Sequence, residues 1–226
     1  MKKYLMATAM SVLTAGSAFA GGHEGPVKIG VILGFSGPLE SLAGPIGDAA
    51  DVAVAEVNEA GGILGDRPVE VVRGDGTCAD AAAGTAAAER LVTSDGIVGM
   101  VGAMCSGTTG AILQAVSIPN GIVQISPSAT SPGLSSVEDN GLFFRLAPSD
   151  ARQGQLMAEI LSGKGINEVA LTYTNNDYGK GLADSFQAAF EEAGGSVTIN
   201  AAHDEGKGDY SAEVGALASA GGEVLV

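Results

Sequence analysis

The sequence predicts an α/β protein built on parallel sheets with helices on both faces, divided near residues 145–150. Apolar runs of strand length alternate with longer segments whose apolar residues recur at helical spacing, from Val27 to Val226. The strand runs are almost continuously apolar, as strands covered on both faces are. Glycine pairs, Gly61-Gly62 and Gly194-Gly195, stand where two of the helical segments would end.

In chain order, Val27–Leu33 is a strand with one Lys. Ile46–Ala60 has helical spacing and Val69–Val72 is a second strand. Asp80–Val92 is an Ala-rich helix, Ile97–Val101 a strand, Thr108–Val116 a helix and Ile122–Ile125 a strand. Ser126–Pro132 carries two prolines among hydroxyl residues and reads as an irregular loop. Phe143-Phe144-Arg145 reads as a short extended crossing segment. Pro148-Ser149-Asp150 then opens a helix to about Leu161, with Asp150 and Gln153 spaced as a capping pair. The alternation resumes with strand Glu168–Tyr173, helix Gly179–Ala193, strand Val197–Asn200, helix Tyr210–Ala220 and strand Glu223–Val226. Because the last residues are an apolar strand with nothing after it, the sequence reads as a fragment of a longer protein.

Lys2 and Lys3 precede an uncharged stretch, Leu5–Phe19, and Ala18-Phe19-Ala20 places small residues at the positions a signal peptidase reads. About 15 apolar residues fall short of the ~20 a membrane-spanning helix needs. The expectation is therefore a signal peptide over residues 1–20, cleaved after Ala20, and a periplasmic protein without direct membrane insertion. Without the two lysines of the leader, nine basic residues face 26 acidic ones, a formal charge of −17. Such a surface repels phosphate backbones and anionic lipid, so nucleic acid and membrane surfaces are excluded as partners. With 46% apolar and 16% charged residues the chain has the composition of a packed domain. Cys78 and Cys105 are its two cysteines. In an exported protein an even count reads as a disulfide, the alternative being two buried thiols. Their spacing excludes a CxxC redox or zinc site, and neither a metal nor a cofactor is expected.

Three segments fall after strands, where open parallel sheets hold ligands. In the first, Ser106 follows Cys105 at a helix start, where free N–H groups favour a carboxylate; an ordinary Ser cap fits as well. In the second, Ser128-Ala129-Thr130 sits between Pro127 and Pro132, and its backbone and hydroxyls can donate and accept, as a zwitterion requires; a polar surface loop is the alternative. In the third, Tyr178 can cover a ligand with its ring, while Asp177 can serve as an N-cap there. Enzyme signatures are missing: there is no G-x-S-x-G and no H-E-x-x-H. The Gly-Lys pairs at 163, 179 and 206 lack the upstream Gly of a phosphate loop.

In order along the chain, the quoted pieces are Val27-Lys28-Ile29-Gly30 with Ser36-Gly37-Pro38, Asn58–Gly65 (NEAGGILG), Cys78, Cys105-Ser106, Ile125–Pro132 (ISPSATSP), Phe144-Arg145, Asp177-Tyr178-Gly179 with Gly181, and Asp209-Tyr210-Ser211. With them the chain resembles the periplasmic leucine/isoleucine/valine-binding proteins, the branched-chain amino acid branch of the type I periplasmic binding proteins. The resemblance implies two α/β lobes, 26–145 and a partial 146–226, with ligand in the cleft between them. It implies that Ser106 and Thr130 hold the ligand's carboxylate and ammonium, that Ser128 and Ala129 make neighbouring contacts, that Tyr178 adds an aromatic contact, and that Cys78 pairs with Cys105. The implied function is the substrate-binding component of an ABC importer, a monomer that delivers a small amino acid to a membrane permease and performs no bond chemistry. The alternatives are a ligand-sensing receptor domain of the same fold and a hydrolase using Ser106, which would need a nearby His. Two departures stand out. Leu39-Glu40-Ser41-Leu42 replaces a stretch in which the family often has an aromatic, and the family's acidic partner for the ammonium lies beyond residue 226.

Overall fold

The computed structural model describes residues 25–226; the expected leader, its cleavage after Ala20, and His23 lie outside the described residues. Two parallel sheets are present among them. The first contains β1 (Val27–Leu33), β2 (Val69–Asp75), β3 (Gly99–Gly102), β4 (Val123–Ser126) and β5 (Phe143–Arg145) in the order β2-β1-β3-β4-β5. The second contains β6 (Glu168–Thr174), β7 (Ser196–His203) and β8 (Val224–Leu225) in the order β7-β6-β8. Every strand pair is parallel.

Successive side chains of a strand point to opposite faces, and β1 buries both. On one face Val31 and Leu33 pack with Ala43 of α1 (Glu40–Glu59) and with Val71, Val101 and Met104. On the other, Ile32 packs with Ala88 of α2 (Ala81–Arg90), Leu91 and Met100, and with Ile112 of α3 (Ser106–Ile112) and Val116. After α3 the helix widens by a turn over Leu113–Ser117 and ends with the short α4 (Ile118–Asn120). The second sheet rests Val169 and Leu171 on Ala158 of α5 (Asp150–Gly163) and on Ala183, Phe186 and Phe190 of α6 (Asp177–Glu192). The rings of Phe186 and Phe190 stack at 5.4 Å. At Gly154 a Cβ would stand 2.6 Å from the Phe186 backbone N, so a glycine permits α5 and α6 to cross this closely. The last helix, α7 (Ser211–Ala220), lies against β6 and β7.

Several expectations need correction. The first helix begins six residues early, at Glu40, and accommodates Pro45. β2 runs on through Arg73-Gly74-Asp75, and β7 reaches His203, because backbone pairing continues past the apolar runs. Phe143–Arg145 does more than cross: it pairs with Gln124–Ser126 as the fifth strand. Ser149, and not Asp150, caps α5 by accepting from the Ala151 N–H at 3.3 Å. Asn176, and not Asp177, caps α6 by accepting from the Gly179 N–H at 2.8 Å. In both places two adjacent side chains can cap, and the one in extended backbone wins.

Candidate ligand-binding cleft

With the order β2-β1-β3, connections leave β1 and β3 in opposite directions, and a crevice opens beyond their carboxyl ends. A cleft of about 540 Å³ lies there. The loops after β1, β2, β3 and β4 form one wall, and the starts of α5 and α6 with the loop after β7 form the other.

Two fastenings hold the first wall. Cys78 and Cys105 are joined, with Cα atoms 5.5 Å apart. The bond does not link neighbouring strands, since β1 lies between β2 and β3. It ties the loops that follow those strands across the end of β1, against Gly34. Asp75, at the end of β2, supplies the second fastening. It accepts from the Ser36 Oγ at 2.5 Å and N–H at 3.2 Å, and from the Thr77 N–H at 2.9 Å. Burial pushes the Asp75 carboxyl up, but these bonds together outweigh it and hold the group below its ordinary value. The loop clasped in this way carries Pro38 and Leu39, which with Leu42 and Met104 make the apolar end of the cleft.

At the polar end stands Ser106, the first residue of α3, 3% exposed. Cys105 gives α3 no side-chain cap, and the first-turn residues Ser106, Gly107 and Thr108 line the cleft with their N–H groups unclaimed by the helix. The Ser106 hydroxyl accepts from the Ser131 N–H at 3.1 Å. Ser128 lines the cleft while its hydroxyl donates to the Met104 carbonyl at 2.9 Å. Thr130 lines it as well, and its carbonyl accepts from the Asp150 N–H at 3.0 Å. Tyr178, in the first turn of α6 and 44% exposed, faces them from the opposite wall. Ser106, Ser128, Thr130 and Tyr178 therefore share one site. Ala129 does not line it: the residue is 1% exposed and its N–H donates to the Ser126 Oγ at 3.0 Å.

Asp150 is the residue that the sequence pattern conceals. It reads as a helix cap, yet the cap is Ser149, and Asp150 turns into the cleft with its Oδ2 buried and without a hydrogen-bond partner among the described residues. Only 4% of the residue is exposed. Its one sequence signal is an acid five residues beyond the end of the crossing segment, at Arg145. The charged side chains lining the cleft are Asp150 and Glu205, both acids. Neutral N–H and hydroxyl donors at one point and a buried carboxylate at another complement a group that is anionic at one atom and cationic at the next. Among the described residues no cluster of His, Cys, Asp and Glu is arranged to hold a metal, and no helix is long and apolar enough to cross a membrane.

A doubly wound sheet whose loops open into a cleft faced by a second parallel sheet defines a two-lobed type I binding protein. Residues 26–226 match the family described as periplasmic binding protein, and the chain belongs to that family. It is 33% identical over 210 residues to Leu/Ile/Val-binding protein homolog 3 of Brucella melitensis, covering 92% of this chain and 55% of that protein. It is 32% identical over 208 residues to Leu/Ile/Val-binding protein BraC3 of Rhizobium johnstonii, covering 91% and 55%. Among solved structures, the branched-chain amino acid transporter substrate binding protein LivJ from Streptococcus pneumoniae, in complex with isoleucine, matches with a TM-score of 0.72 at 30% identity, covering 88% of this chain and 56% of that one. The chain thus spans about half the length of the relatives it matches. All three of these relatives are binding proteins by name.

Proposed function

We propose that this chain belongs to the periplasmic substrate-binding component of an ABC importer, which holds leucine, isoleucine, valine or a similar small amino acid between two lobes and delivers it to a membrane permease. The lobes are 26–145 and a second of which 146–226 is part, with the hinge at Leu146–Asp150, and the protein acts as a monomer after removal of residues 1–20. Ser106, Thr130 and the first-turn N–H groups of α3 take the carboxylate, Asp150 takes the ammonium, and Tyr178 covers the ligand. Pro38, Leu39, Leu42 and Met104 surround an aliphatic side chain. The observation that carries this reading is the buried Asp150 carboxylate, whose Oδ2 has no partner among the described residues, in a cleft whose hydrogen-bond donors are neutral. Similarity to the Leu/Ile/Val-binding proteins supports it independently.

Calorimetry with leucine, 4-methylpentanoate and 3-methylbutylamine tests it. The second compound lacks the ammonium and the third the carboxylate. Each should bind weaker than leucine by about 1–3 kcal/mol, the cost of one buried polar group left unpaired. Equal binding of leucine and 4-methylpentanoate would remove Asp150 from the site.

A further inference from the structure

The two walls of the cleft touch at a point that the ligand contacts do not include. Gly181, in the second turn of α6, faces Ser131 and Pro132, which begin the short 3₁₀ turn after β4. A Cβ on Gly181 would stand 2.8 Å from the Ser131 Oγ and 2.9 Å from the Pro132 Cδ. Pro132 Cδ belongs to a closed ring and cannot rotate away, and the backbone that carries Ser131 is held. The Ser131 carbonyl accepts from the Arg145 guanidinium at 2.8 Å, its N–H donates to the Ser106 Oγ at 3.1 Å, and the residue is 6% exposed. Gly181 has ordinary right-handed helical backbone, so no local conformational demand requires glycine there. Alanine would suit the helix better.

We propose that Gly181 is a positioning residue: its missing side chain sets how closely the second lobe approaches the first, and through Ser131 it keeps the Ser106 hydroxyl in place for the ligand. The inference rests on the cleft being a ligand site, and its test separates the two. Close to the contact, a Cβ on Gly107 would lie 3.9 Å from the Asp177 Cβ, a separation that suits a disulfide. A protein carrying Gly107→Cys and Asp177→Cys should therefore form that cross-link on mild oxidation, identified by mass spectrometry of the joined peptides beside the native Cys78–Cys105 pair. Adding Gly181→Ala should abolish most of the cross-link without lowering the melting temperature. Further substitution of Ser131→Ala and Pro132→Ala removes both crowded atoms and should restore it. In the protein without added cysteines, Gly181→Ala should weaken leucine binding by about tenfold or more, because contacts from both lobes contribute only when they meet, and the same two relieving substitutions should recover it. Cross-linking that is equally fast with Gly and Ala at 181 overturns the inference. Leucine that fails to bind the unsubstituted protein, while cross-linking follows the expected pattern, overturns the proposed ligand and leaves the role of Gly181 in lobe approach standing.

Discussion

On the proposed reading, Asp150 serves ligand binding at the expense of stability. A buried carboxylate oxygen without a partner among the described residues costs free energy, whereas the residue's place in the first turn of α5 recovers only about 0.3–1 kcal/mol from the helix dipole. Asp150→Asn keeps the shape and removes the charge. We expect leucine affinity to fall roughly 10- to 100-fold, the equivalent of a charge-assisted hydrogen bond of about 1.5–3 kcal/mol. Urea unfolding should show stability unchanged or raised. A loss of both affinity and stability would mark Asp150 as structural. Asp75 is the opposite case, a carboxylate whose partners favour its charged form. Its folded-state value lies below the ordinary one, so its contribution is fully present above about pH 4 and is lost as pH falls through the folded value. Asp75→Asn should therefore lower the urea midpoint at pH 7, and its difference from the unsubstituted protein should shrink below about pH 4. A difference of the same size at pH 3 and pH 7 would refute the clasp as an ionic one.

Among the elements, the disulfide is the fastening with the largest expected effect. It closes a loop across 27 positions of sequence and, on the chain-entropy model, stabilises by roughly 3–4 kcal/mol. Cys78→Ser with Cys105→Ser should lower unfolding free energy by about that amount. It should also weaken leucine binding, because Cys105 directly precedes Ser106 at the start of α3. Unchanged binding after loss of the bond would show that α3 is placed by packing alone. The helices were legible because burial on one face imposes a period, and the strands because burial on both faces imposes a continuous apolar run: Val31, Ile32 and Leu33 are all buried in β1. The pairing of Cys78 with Cys105 was legible too, but not the intervening strand β1, since strand order leaves no local pattern. Caps were misread where two capping residues adjoin, as in Ser149-Asp150 and Asn176-Asp177. Asp150 could not be found by pattern, because its burial arises when α5 starts beside Thr130, a contact between segments 20 residues apart. Ala129 shows the converse. It lies in the right loop, yet the turn spends its N–H on Ser126.

For the whole molecule, the acidic surface and the neutral-donor cleft act on different scales. A net charge of −15 repels polyanions at a distance. A zwitterion of zero net charge is insensitive to that field and answers to the groups within the cleft. A ligand that joins two lobes stabilises the folded protein by RT ln(1 + [L]/Kd), which grows with concentration even after the site is full and reaches about 2.7 kcal/mol at a hundred times Kd. In a protein of this size, that corresponds to a rise in melting temperature of roughly 5–10 °C. Leucine should produce such a rise and continue to raise the midpoint as its concentration increases, with each tenfold increment adding about 1.4 kcal/mol. 4-Methylpentanoate, held at the same concentration, should shift it far less, because Asp150 would face an apolar chain instead of an ammonium. Leucine recovered after long incubation should be chemically unchanged, since among the described residues the cleft brings no histidine or metal-ligating cluster to Ser106. A melting temperature of the full-length protein that is indifferent to leucine would exclude it as the ligand. Steady conversion of leucine to any product would replace a carrier with an enzyme.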